Sequence, residues 1–105
     1  MIYEMRTYRC LPGNAQKYLS TYEAMALELQ LKHQKNLVGF WQTDSGPLNR
    51  VVNIWGYEDL QARAEAKAAL SKEAGWQEYL KVAQPLLLEQ DSCFLKPAEF
   101  MKIIR

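Results

Sequence analysis

The chain of 105 residues carries one histidine, two cysteines, four prolines and five glycines, and each scarcity closes off a class of protein. A single histidine, His33, leaves no second imidazole for a zinc or haem site. Cys10 and Cys93 stand too far apart in sequence for a CxxC redox or zinc motif, so no metal and no cofactor are expected. No apolar run approaches the roughly 20 residues of a membrane-spanning helix. Charge is balanced, with 13 basic and 12 acidic residues and a net charge of +1. Without a Lys/Arg stripe, a nucleic-acid or anionic-membrane partner lacks support. There is no glycine-rich phosphate loop, nucleophile elbow or paired-carboxylate motif. Met1-Ile2-Tyr3-Glu4-Met5-Arg6 introduces charge at once and reads as neither a signal nor a transit peptide. The expected compartment is therefore a reducing cytoplasm, with both cysteines serving as small buried hydrophobes.

What remains is ordinary globular material. Hydrophobic residues make up 49% and charged residues 24% of the chain, enough for one core in one domain over residues 1–105. Three Trp, six Tyr and three Phe are a generous aromatic share that must go into a core, a pocket or an interface.

Periodicity sets the elements. Ile2 to Arg9 alternates and reads as a strand, stopped by Pro12-Gly13. Asn14 suits a helix N-cap. Ala15, Tyr18, Leu19, Tyr22, Met25, Ala26 and Leu29 then recur at helical steps, predicting one amphipathic helix of about four to five turns. Lys32, His33 and Lys35 place positive charge at its end, and Asn36 is suited to the left-handed conformation that closes it. Val38 to Thr43 and Arg50 to Tyr57 read as strands joined by the Asp44-Ser45-Gly46-Pro47 turn. Asp59 caps a helix over Leu60 to Leu70, Gly75 interrupts it, and a further segment carries Trp76, Tyr79, Leu80 and Ala83 to Pro85. Leu86 to Leu95 is the last strand, and residues 96–105 form a C-terminal tail after Lys96-Pro97.

The order β-α-β-β-α-β, its second helix broken, is the ferredoxin-like α+β arrangement with an antiparallel sheet. Crossover handedness puts the first and third strands in the centre. Helices cover only one face of such a sheet. Val51, Asn53, Trp55 and Tyr57 alternate with Val52 and Ile54, and Val38 and Phe40 with Trp41, so both faces carry large apolar groups. Soluble monomers avoid such a patch, and packing two sheets face to face across a two-fold axis makes the expected state a homodimer.

Several words stand at characteristic places: Tyr3-Glu4-Met5-Arg6-Thr7-Tyr8, Pro12-Gly13, Leu37-Val38-Gly39-Phe40-Trp41, Gly46-Pro47-Leu48-Asn49, Trp55-Gly56-Tyr57, Arg63, Trp76 and Pro85-Leu86-Leu87. In this order they resemble the NIPSNAP family, from Met1 to about Phe100. The resemblance implies a dimeric α+β barrel of the short, single-domain bacterial type. It carries over no catalytic residues. Relatives in the barrel group include cofactor-free monooxygenases and isomerases, an analogy of fold alone.

The candidate site residues follow from chemistry. His33 is the obvious acid/base group, although a helix end gives it a structural task, satisfying terminal carbonyls. Tyr8 is the second catalytic candidate. Glu4, Arg6 and Tyr8 share one strand face and would line a polar pocket, with Arg6 holding a carboxylate or enolate, or pair across the dimer interface. Asn49 either fixes its turn or enters a pocket. Asn53, an amide within an apolar strand, needs hydrogen-bond partners wherever it is buried. Trp41 and Trp55, with Trp76, Tyr3 and Tyr57, either pack the core and interface or wall a cavity for an aromatic or polyketide-like molecule. The leading expectation is a homodimeric domain binding a small, partly apolar organic molecule. Whether it is an enzyme stays open, the alternatives being a cofactor-independent monooxygenase or isomerase and a protein-interaction role.

Overall fold

In the computed structural model, which describes residues 1–101, strand β1 (Ile2–Cys10) is followed by helices α1 (Ala15–Met25) and α2 (Leu27–Gln34). Strands β2 (Leu37–Gln42) and β3 (Arg50–Tyr57) come next, then helices α3 (Leu60–Ser71) and α4 (Ala74–Ala83) and strand β4 (Leu87–Leu95). The end of the expected tail, residues 102–105, lies outside the described residues.

All strand pairs are antiparallel and the order is β2-β3-β1-β4. The sequence predicts this order. The chain reverses between β2 and β3 through Gly46, at φ +85°, and Asn49, at φ +60°. Asp59 caps α3 as expected, its carboxylate accepting from the Ala62 N–H at 2.8 Å.

Three local expectations need correction. Asn14 makes no side-chain cap. Its φ of −101° and ψ of 5° hold it in a turn, its N–H donating to the Leu11 carbonyl at 2.9 Å, rather than in the extended conformation a cap requires. The first helix is bent at Ala26 into α1 and α2. Hydrogen bonding nevertheless continues through the bend, from Ala26 N–H to Tyr22 O and from Gln30 N–H to Ala26 O. The left-handed residue after α2 is Lys35, at φ 65°, not Asn36. Asn36 is held by the sheet, because its carbonyl accepts from Gly56 N–H at 2.8 Å.

The alternation of strand residues divides the sheet into two unlike faces. Towards the helices point Glu4, Tyr8 and Cys10 from β1 and Val51, Asn53, Trp55 and Tyr57 from β3, all buried. Tyr8, Cys10 and Val51 form one core cluster with Ala15, Tyr18, Tyr22 and Ala26 of the first helical pair, Tyr79 and Ala83 of α4, and Leu86 just beyond it; Leu70 of α3 is buried as well. The aromatic rings meet edge to face, Tyr8 against Tyr18 at 5.6 Å and Tyr22 against Tyr79 at 5.9 Å. Among the described residues, none of the helices α1 to α4 covers the other face. Tyr3, Met5 and Thr7 of β1 lie there beside Val52 and Ile54 of β3, Trp41 of β2, and Cys93 and Leu95 of β4. Cys93 is exposed, which corrects the expectation that both cysteines are buried; Cys10 is sealed in the core, and neither forms a disulfide. No described helix is long and apolar enough to cross a membrane.

Candidate functional site

The register lays polar side chains in rows across the helix-facing side of the central strands. Asn53 stands opposite Arg6, and Arg6 opposite Ser92. One row along, Trp55 stands opposite Glu4; one row the other way, Tyr8 is opposite Gln90. Polar groups in a sheet interior need partners, and these rows supply them.

Glu4 is 0% exposed and accepts four hydrogen bonds. Arg63 from α3 grips it with both prongs, Nε to Oε1 at 2.9 Å and Nη2 to Oε2 at 3.0 Å. Arg6 Nη1 adds a contact at 3.1 Å and Ser92 Oγ another at 2.5 Å, both to Oε2. Burial alone would raise the carboxyl pKa. The hydrogen bonds from Arg63 and Ser92, with the charge of Arg6, outweigh it and hold Glu4 at about 2. Glu4 and Arg6 thus pair within one chain, on the face away from the open side, and not across a dimer interface.

Arg6 is spread over three acceptors. Besides Glu4, its Nε donates to the Tyr8 hydroxyl at 2.8 Å and its Nη2 to Gln90 Oε1 at 3.3 Å. Beside it, between sheet and helices, lies a cavity of about 80 Å³. Arg6, Tyr8, Asn53, Lys67 and Gln90 form its polar wall; Tyr18, Tyr22, Phe40, Trp76 and Tyr79 form much of the rest. Burial first, then the neighbouring Arg6 charge, lowers the Lys67 pKa. Among the described residues the Lys67 amine has no hydrogen bond or ion pair.

Asn53 is 1% exposed. Its Oδ1 accepts from the Trp55 indole N–H at 2.8 Å, while among the described residues its Nδ2 has no partner. Turning the amide over offers no escape, because an indole N–H can only donate and must face the oxygen. One buried donor is therefore left over in the cavity wall.

The other expected site residues are elsewhere. His33 lies at the end of α2, its Nε2 2.8 Å from Glu73 Oε2, which Lys32 also reaches at 2.8 Å. This cluster ties α2 to the start of α4 and contributes nothing to the Arg6 cavity. His33 borders a separate surface groove of about 550 Å³ with Tyr57 and Asn36. Asn49 ties its loop to the segment that ends β1, rather than bracing its own turn: its Oδ1 accepts from Gly13 N–H at 2.9 Å and its carbonyl from Cys10 N–H at 2.7 Å. Trp41 is on the open face, half exposed. Trp55 is wholly buried and holds Asn53 rather than lining the cavity. At about 80 Å³ the cavity is far below the roughly 300–1,000 Å³ of drug-sized ligand sites, which excludes the expected polyketide-like molecule from it.

Sequence reading missed Arg63 as a partner of Glu4, and missed Lys67, Ser92 and Gln90. A signal was available. Arg63 and Lys67 are four residues apart on an alanine-rich helix and so share a face, and an inward Glu4 required a cation. Among the described residues no cluster of three His, Cys, Asp or Glu could hold a metal ion.

These features define an α+β domain in which a four-stranded antiparallel sheet, helix-covered on one face, holds a polar cluster and a small cavity between its layers. The chain belongs to the NIPSNAP family, whose profile matches residues 3–102. It is 34% identical over 99 residues to Protein NipSnap of Drosophila melanogaster, an alignment that covers 94% of this chain and 36% of that protein. The chain thus spans about a third of the length of the curated relatives it matches. A crystal structure of an Agrobacterium tumefaciens protein superposes with a TM-score of 0.92 at 36% identity, covering 95% of this chain and 96% of that one. An uncharacterized NIPSNAP domain protein from Burkholderia xenovorans superposes at 0.90 and 38%, covering 95% and 97%. A putative antibiotic biosynthesis monooxygenase from Nitrosomonas europaea shares the fold alone, with a TM-score of 0.67 at 12% identity over 92% of this chain and 98% of that one.

Proposed function

We propose that this NIPSNAP-family domain works as a homodimer that binds a small organic molecule in the cavity beside Arg6. The observation that carries the reading is the unpartnered Nδ2 of Asn53. A buried donor without an acceptor costs about 1–3 kcal/mol, and native folds leave few of them. An acceptor atom on a molecule occupying the cavity relieves that cost, and the ring of tyrosines with Trp76 and Phe40 packs on the molecule's apolar part.

Dimerisation is supported by the uncovered sheet face, where Trp41 is 50% and Leu95 39% exposed beside Met5 and Ile54. Such a patch is buried when two copies of the face meet across a two-fold axis. The enzymatic alternative, a cofactor-independent monooxygenase or isomerase, keeps Tyr8 in the cavity wall but loses His33 to Glu73. Binding is therefore the favoured reading.

The test follows the Asn53 side-chain amide resonances in labelled protein during titration with short amides, ketones and carboxylates. A saturable shift is expected for at least one of them. It should be lost in Leu80→Phe, which fills the cavity from its partly buried wall while leaving the polar network intact. If no compound moves these resonances, the reading fails.

A further inference from the structure

We infer that the molecule held in the Arg6 cavity is a small monocarboxylate, its oxygens taken by Lys67, Arg6 and Asn53 and its short apolar end by the aromatic wall. The inference rests on the binding reading above and names the ligand class for the same cavity.

The inventory of the wall argues for an anion. The residues lining the cavity include two cations, Arg6 and Lys67, and no Asp or Glu. The nearest carboxylate, Glu4, is already taken by the paired prongs of Arg63, by Arg6 and by Ser92. Counting Arg6, Arg63 and Lys67 against Glu4, the cluster holds three positive groups and one negative. A partly buried excess of positive charge is unfavourable until an anion joins it.

The free hydrogen-bonding capacity has the same sign. An ammonium offers three donors, and among the described residues those of Lys67 bond to nothing. A guanidinium has five N–H groups, and the bonds from Arg6 to Tyr8, Glu4 and Gln90 leave some of them over. Asn53 Nδ2 adds two more. On the acceptor side, Gln90 Oε1 and the Tyr8 oxygen already receive Arg6, Gln30 Oε1 receives Tyr22 at 2.5 Å and the Tyr18 oxygen receives Tyr79 at 2.8 Å, so that the oxygens of Gln84, Tyr22 and Tyr79 stand against the larger number of free N–H groups on Lys67, Arg6 and Asn53. A wall rich in unused donors fits an acceptor-only ligand, and an ionised carboxylate is acceptor-only.

Shape selects within the anions. Phosphate and sulfate present oxygen on every side, whereas one part of this wall is apolar or aromatic, with Tyr22, Phe40, Trp76, Leu80 and Leu87. A carboxylate has one polar end and one apolar end, matching a cavity whose cations lie on the strand β1 and helix α3 side. Some 80 Å³ equals the volume of about three waters at ~30 Å³ each, which admits a carboxylate of about two or three carbons. The exposed Gln84 and Gln90, which also line the cavity, mark the way in.

The experiment titrates the protein with acetate and propionate, and in parallel with their neutral isosteres acetamide and propionamide, at constant ionic strength in sodium chloride. It follows the Asn53 side-chain amide resonances. The carboxylates should saturate, and bind about tenfold or more tightly than the amides, the size of a charge-assisted hydrogen bond. Lys67→Met should remove that preference, while Lys67→Arg should retain it. Equal affinity for carboxylate and amide, or a preference that survives Lys67→Met, would overturn the inference and leave the binding reading standing. Silence from all four compounds would overturn the inference, and silence from short ketones as well would remove the binding reading.

Discussion

Replacing Glu4 by Gln tests the polar cluster most sharply, because its cost depends on pH in a calculable way. Gln keeps the shape and one acceptor oxygen but leaves Arg63 and Arg6 without their counter-charge. The carboxyl falls from its ordinary 4.5 to about 2 on folding, which proton linkage converts to about 3 kcal/mol at neutral pH. That agrees with the roughly 3–5 kcal/mol lost when one partner of a buried pair is removed, at its lower end because both guanidiniums retain some contact with water. The sign is fixed by the direction of the shift. A depressed folded pKa gives stability that is present above 4.5 and lost as pH falls towards 2. The deficit of the variant relative to wild type is therefore expected to be about 3 kcal/mol near pH 7, about 1 near pH 3 and a few tenths near pH 2. Near pH 7 this lowers the melting midpoint by roughly 10–20 °C. Urea unfolding of both proteins across this range measures it. A variant as stable as wild type at neutral pH, or a deficit that does not shrink in acid, refutes the buried-carboxylate account.

Tyr79→Phe removes the hydroxyl that donates to Tyr18 at 2.8 Å in the core, and is expected to lower unfolding free energy by about 1 kcal/mol in denaturant melts. Gly39→Ala would drive a Cβ into the indole of Trp41, to within 2.3 Å of its ring. Because Trp41 is half exposed, it should swing outward, shifting tryptophan emission to longer wavelength while far-UV circular dichroism stays unchanged. On the proposed dimer face, Ile54→Glu sets a charge between Met5 and Gly39. Light scattering should then report a monomer where the wild type is a dimer, and a persistent dimer would place the interface elsewhere.

The fold was largely legible because its signals are local and redundant. Alternation in β1 and β3, the Gly46 turn and the Asp59 cap each specify their element independently. The misplacements occur where tertiary contacts override local preference. Asn36 is a good left-handed residue by type, yet its carbonyl is recruited by Gly56, so Lys35 takes the positive φ. The bend at Ala26 has no marker in the sequence, because alanine is a strong helix former. For the site, Glu4, Arg6, Tyr8 and Asn53 were visible as polar residues on an otherwise buried strand face. Their partners were not, since Arg63 is 59 residues and Ser92 88 residues from Glu4, and no periodicity connects them. His33 drew attention as the only imidazole, but rarity of a residue type says nothing about where it packs.

The central claim, that Asn53 and its neighbours form the polar wall of a ligand cavity, is met most directly by a high-resolution crystal structure of the wild-type protein soaked in propionate. Planar density with an oxygen within hydrogen-bond distance of Asn53 Nδ2 and of Lys67 Nζ is the predicted result. A cavity that stays empty or holds only water at saturating propionate would contradict the account.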